Sequence, residues 1–69
     1  MPLNMIGLGN SAVVNKITGS ESTRQFLQNL GFVAGATVTL ISDIGGNIIV
    51  NIKDSRIAIN GDMAKHILV

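Results

Sequence analysis

The chain has 69 residues, of which 46% are hydrophobic, 13% charged and 3% aromatic, and its formal net charge is +1. A chain this short buries only roughly 60–65% of its unfolded surface, so one domain with a thin core is expected. The low and scattered charge argues against a nucleic-acid binder, because phosphate binding needs a concentrated basic face. A mean hydropathy of +0.47 predicts exposed apolar surface, which favours a partner or self-association.

The chain contains no cysteine, which excludes disulfides and thiolate metal sites and is typical of an intracellular protein. Residues 1–8 are apolar but lack the basic start and the long apolar core of a signal peptide. No run approaches the ~18 apolar residues of a membrane span. We therefore expect a single cytoplasmic domain over residues 1–69 that does not span a membrane.

In chain order, alternating β-branched residues predict a first strand over residues 12–17. Ser22 followed by Gln25 is a capping-box pattern, which predicts a helix from there to about Leu30. Helical spacing gives this helix two faces. The apolar stripe consists of Thr23, Phe26, Leu27 and Leu30, and the polar face consists of Arg24, Gln25, Gln28 and Asn29.

Two glycines follow the helix. Gly31 stands where the helix must end in a left-handed conformation, and Phe32 can then pack back on Leu27 in a Schellman-type cap. Gly35 takes the third place of a tight turn that leads into the next strand. The glycines thus predict a helix–turn–strand corner.

A meander of three strands is predicted over residues 37–42, 48–53 and 56–59, with a hairpin loop at 45–47 and a turn at 54–55. The side chains expected to face inward are Ile48, Val50, Ile52, Ile57 and Ile59, and Val38 and Leu40 share one face. Asn60 can cap a helical turn over residues 62–66, and residues 67–69 form a last short strand. Such short strands hide two sheet faces only if the sheet curls on itself. The prediction is a mainly β fold: a small, partly open SH3-like β-barrel with one short α-helix after the first strand and one helical turn near the C-terminus.

No pattern in the chain predicts catalysis or a cofactor. Residues 7–12 match the dinucleotide fingerprint G-x-G-x-x-[GA], but a strand and not a helix follows them, so a turn is expected. His66 is the only histidine and suits the end of a helical turn. A metal site needs three or four ligands, and the four acidic residues are far apart in sequence. The methionines at 1, 5 and 63 are expected to fill the core or to begin the chain without order. We predict a non-enzymatic protein with no catalytic, cofactor or metal residues.

The segment 24–38 and the spacing of Leu3, Ile6 and Gly9 resemble the ferrous-iron transport protein A (FeoA) family. The most specific part is Leu30-Gly31-Phe32 with Gly35, and the resemblance extends in order to residues 64–69. Ala34 stands where the family often has proline, which removes some preorganisation of the turn. The resemblance implies an SH3-like barrel that serves beside the membrane GTPase that imports ferrous iron in bacteria.

By this resemblance the chain is an accessory or regulatory protein that contacts the cytoplasmic domain of the membrane GTPase transporter. The expected partner-binding residues are Arg24, Gln25 and Gln28. An alternative is a metal-responsive SH3-like regulatory domain that itself binds a transition metal ion. A small-barrel RNA binder is a third hypothesis, disfavoured because stacking aromatics are lacking.

Overall fold

Six short strands, one α-helix and two helical turns make up the computed structural model, which describes residues 1–69. The strands are β1 (Ser11–Val13), β2 (Lys16–Ile17), β3 (Thr37–Ile44), β4 (Asn47–Ile52), β5 (Ser55–Asn60) and β6 (Ile67–Leu68). Helix α1 spans Glu21–Asn29, the helical turn α2 spans Gly61–Ala64, and a 3-10 turn spans Leu3–Met5.

All strand pairs are antiparallel. One sheet has the order β1-β3-β4-β5, and β2 pairs with β6 in a second, two-stranded sheet. The two sheets curl around one core without closing into a ring, which confirms the predicted mainly β, partly open barrel with one helix and one helical turn near the C-terminus.

The predicted strand over residues 12–17 is wrong in one respect, because it divides into β1 and β2. At Val14 the backbone still bonds the segment before β3: its N–H donates to Ala36 O at 2.8 Å and its C=O accepts from Gly35 N–H at 2.8 Å. At Asn15 the backbone N–H donates instead to Leu68 O at 2.7 Å. The chain therefore changes pairing partner here and passes from one sheet to the other.

The core consists of apolar side chains alone. Its members are Leu3, Val14, Leu27, Phe32, Val38, Leu40, Ile48, Val50, Ile52, Ile59, Ala64 and Ile67. The predicted inward direction is confirmed for Ile59 and for the β4 residues Ile48, Val50 and Ile52. Ile57 is only half-buried. β5 is an edge strand, so the core covers its inner face incompletely.

The two tight hairpins have the same loop length and different compositions. Gly45-Gly46 joins β3 to β4, and Lys53-Asp54 joins β4 to β5. All four loop residues have positive φ, between 49° and 85°, as a type I′ turn requires. The second turn therefore lies one residue earlier than predicted, and β3 runs on to Ile44 through an irregular register between Leu40 and Ser42.

The beginning of the chain is ordered as a 3-10 turn, which the sequence did not predict. Leu3 is fully buried, whereas Met1 and Met5 are 64% and 67% exposed, so these two methionines do not fill the core. Met63 packs partly against it. Near the other end, Asn60 caps α2 as predicted, its Oδ1 accepting from Met63 N–H at 2.8 Å. The turn ends at Ala64, so His66 lies beyond it and not within it.

Candidate partner-binding surface

Helix α1 carries the predicted partner-binding residues, and its start is fixed by Ser20. The Ser20 Oγ accepts from Thr23 N–H at 3.2 Å, so Ser20 is the N-cap. The predicted N-cap, Ser22, is already inside the helix, and the capping box with Gln25 does not form. Glu21 in the first turn complements the positive end of the helix dipole.

The end of α1 is the predicted Schellman cap. Gly31 has φ +109°, the Gly31 N–H donates to Gln28 O at 3.0 Å, and the Phe32 N–H donates to Leu27 O at 3.1 Å. Both Leu27 and Phe32 are fully buried, so the cap fastens the helix to the core. The next turn also forms, with Ala36 N–H donating to Val33 O at 3.0 Å and Gly35 at φ +91°.

The apolar stripe of α1 is narrower than predicted. Leu27 is fully buried and Leu30 and Thr23 are half-buried, but Phe26 is 49% exposed. Phe26 lies about 100° around the helix from Leu27, and a barrel this small covers only the middle of the stripe. Phe26 therefore belongs to the apolar stripe by helical spacing but lies at its exposed edge.

The polar face of α1 lies open to solvent. Arg24, Gln25 and Gln28 are all exposed, and none of their side chains makes a hydrogen bond or an ion pair within the chain. Arg24 and Gln28 are one turn apart on the same side, where side chains are neighbours. With Gln25 they expose one guanidinium and two amide groups.

His66 serves packing in this structure. Its Nδ1 lies 3.1 Å from Thr18 Oγ1, and its backbone O accepts from Thr18 N–H at 2.8 Å. The ring lies against Gly19, where a Cβ would come within 3.2 Å of Nδ1. These contacts join the residue before β6 to the segment between β2 and α1.

The rest of the molecule offers no enclosed chemical site. The surface has no pocket, and no three His, Asp or Glu side chains group as metal ligands. Residues 7–10 form the predicted turn between the 3-10 turn and β1, and residues 11–12 already belong to β1, so the strand–turn–helix arrangement of a dinucleotide site is absent. None of the helices is long and apolar enough to cross a membrane.

Fold and surface together define a small barrel that presents a polar helix face and has no pocket. The FeoA domain model matches residues 1–69, and the chain belongs to the FeoA family, which is linked to ferrous iron transport. A search of curated protein sequences gives no match.

Solved structures agree with this family. An iron uptake regulatory protein (FeoA) is 32% identical with a TM-score of 0.87, over 96% of this chain and 88% of that one. The FeoA of Stenotrophomonas maltophilia in complex with zinc is 29% identical with a TM-score of 0.87, over 100% of this chain and 88% of that one. It is described as a prokaryotic SH3 domain protein, which confirms the predicted SH3-like fold.

A manganese-dependent transcriptional repressor also matches, at 16% identity and a TM-score of 0.87. That alignment covers 97% of this chain and 39% of the repressor. At this identity the likeness shows the fold alone, because one fold serves many functions.

Proposed function

We propose that this chain is a non-enzymatic, cytoplasmic accessory protein of bacterial ferrous iron uptake, which acts by contact with the cytoplasmic domain of the membrane GTPase transporter. The observation that carries the proposal is the FeoA match over residues 1–69. The S. maltophilia relative, discussed as a ferrous iron transport activating factor, supports the accessory role. The lack of a pocket is compatible with action through a surface.

The contact is proposed to include Arg24, Gln25 and Gln28. These side chains are exposed and unpaired, so binding would not have to break internal hydrogen bonds or ion pairs. The Ser20 cap and the Schellman cap hold both ends of α1, so the helix backbone that carries these side chains is in place before it meets a partner. A preorganised surface loses less entropy on binding.

Calorimetric titration of the purified transporter cytoplasmic domain, in its GDP and GTP-analogue states, tests this function. We expect saturable binding in at least one state and about threefold weaker binding for Arg24→Ala, as is typical of a rim charge. Lys16→Ala removes another exposed cation, from β2, and is the matched control. Absence of binding in both states would contradict the proposal.

A second function, direct binding of a transition metal ion, is favoured by one observation: a relative 29% identical was solved in complex with zinc. In this chain His66 is the only imidazole, and its Nδ1 is within hydrogen-bonding distance of Thr18. Nε2 would therefore be the ligand atom. Titration with Zn(II), Mn(II) and, without oxygen, Fe(II) tests it: heat that disappears in His66→Ala supports the metal function, and no heat from any ion removes it.

A further inference from the structure

The outer face of the four-stranded sheet carries a row of polar side chains that crosses every strand. Ser11 of β1 is opposite Thr39 of β3, Thr39 is opposite Asn51 of β4, and Asn51 is opposite Arg56 of β5. Residues directly opposite in an antiparallel sheet point to the same side. Ser11 Oγ and Thr39 Oγ1 are hydrogen-bonded at 2.7 Å, so part of the row is already ordered.

Apolar side chains lie on both sides of this polar row. On one side Val13 is opposite Thr37, and on the other Ile49 is opposite both Ser42 and Ala58. Val13 is 56% exposed, and Ile49 is half-buried. We call the polar row and these two neighbouring rows the sheet face. Protein–protein interfaces also combine apolar contacts with hydrogen-bonding groups, so this composition is compatible with an interface.

Arg56 is the one charged residue of the sheet face. None of the four acidic residues belongs to it, and the only ion pair of the molecule joins Lys65 to Asp62. Asp54, in the hairpin turn two residues away, makes no ion pair with Arg56. The guanidinium is therefore exposed and unneutralised, and the group that complements it is a carboxylate.

A contact restricted to α1 would be small. Nine residues make a helix about 14 Å long, whereas a stable interface takes about 800 Å² from each partner. That area is about a fifth of the 4013 Å² surface of this molecule. An interface of that size takes in surface outside α1, and the sheet face has exposed apolar and polar groups together.

From these observations we propose that the sheet face binds a carboxylate-bearing surface of the protein partner, with Arg56 meeting a carboxylate and Asn51 and Thr39 hydrogen-bonding beside it. The inference rests on the proposed function, which makes the transporter cytoplasmic domain that partner. A second copy of this chain fits the face less well, because the face has no acid to receive Arg56. RNA fits less well too, because the face has one cation and no aromatic side chain.

The test is titration of the transporter cytoplasmic domain with Arg56→Glu, Asn51→Asp and the control Lys16→Glu. We expect Arg56→Glu and Asn51→Asp each to weaken binding about tenfold, because each puts a negative charge opposite a carboxylate. Arg56→Gln should weaken it about threefold and make the affinity less sensitive to salt. Lys16 is an exposed cation in the other sheet, so Lys16→Glu should leave the affinity unchanged.

The outcomes separate this inference from the proposed function. If the wild-type chain binds and Arg56→Glu and Asn51→Asp bind equally well, the sheet face is not the binding surface. The proposed function would then still stand. An equal loss in Lys16→Glu would also overturn the inference, since net charge alone would then explain the effect. No binding by the wild-type chain would remove the function and the inference together. Thermal unfolding of each variant verifies the fold. If a charge reversal unfolds the chain, the affinity of Arg56→Gln decides whether Arg56 contacts the partner.

Discussion

Gly31 is the residue on which the attachment of α1 depends. Its φ of +109° is a conformation that side chains rarely adopt, and a Cβ there would meet nothing closer than Lys53 Cδ at 3.7 Å. The cost of a substitution is therefore backbone strain and not a clash. We expect Gly31→Ala to lower the free energy of unfolding by about 1–2 kcal/mol. Gly31→Asn should lose less, since asparagine tolerates this region better; urea denaturation measures both, and equal losses would contradict the strain argument.

The two phenylalanines show how far residue type alone predicts burial. Both side chains are large and apolar; Phe26 lies on the apolar stripe of α1 and Phe32 in the cap at its end. Phe32 is nevertheless fully buried, whereas Phe26 is half exposed. The sequence predicts Phe32 correctly because the glycine before it fixes its direction. It cannot predict how wide a stripe the barrel covers, because that width depends on strands far away in sequence.

At the scale of the elements, the start of α1 distinguishes two serines that look alike in sequence. Ser20 Oγ accepts the Thr23 N–H, whereas Ser22 is exposed within the helix. We expect Ser20→Ala to reduce the free energy of unfolding by about 1 kcal/mol, since a helix N–H loses its acceptor. Ser22→Ala should change it by less than about 0.5 kcal/mol. Chemical denaturation measures both variants. A larger loss of unfolding free energy in Ser22→Ala than in Ser20→Ala would mean that Ser22 is the N-cap after all.

The β4–β5 hairpin holds Asp54 at φ +63°, where the β3–β4 hairpin has Gly46 at φ +85°. Glycine adopts this conformation without a Cβ penalty, so we expect Asp54→Gly to raise the free energy of unfolding by about 0.5 kcal/mol. Gly46→Ala, at the equivalent position, should lower it by about 1 kcal/mol. Thermal denaturation measures both changes. A destabilised Asp54→Gly would mean that the aspartate side chain has a structural role in the turn.

Among the elements, alternation and turn residues predict the meander well, because hairpin pairing is local. The division of the first strand could not be predicted from residues 12–17. It arises because Asn15 bonds to Leu68, 53 positions later in the chain. The sheet face could not be predicted either, because it depends on pairing between strands that are distant in sequence. Alternation places Thr39 and Asn51 outward. Only the register shows that Thr39 is opposite Ser11 and that Asn51 is opposite Arg56.

For the whole molecule, stability depends on a core of twelve buried side chains, of which Phe32 is the largest. A domain of this size has a free energy of unfolding of about 3–10 kcal/mol. We expect Phe32→Ala to cost about 3–5 kcal/mol and to leave much of the chain unfolded. Phe26→Ala, which removes the same group from a half-exposed position, should cost about 1 kcal/mol. Circular dichroism and urea titration compare the two, and similar losses would contradict the burial of Phe32.

The seam between β2 and β6 has a consequence for motion. It consists of two residue pairs, and its Thr18–His66 contact joins positions 48 apart in sequence. Segments with few contacts open locally at a free energy well below that of global unfolding. Amide hydrogens at Asn15 and Thr18, which donate across the seam, should therefore exchange with solvent faster than that of Val50 in the central strand. The barrel would then open at this seam, with the four-stranded sheet and its outer face still formed.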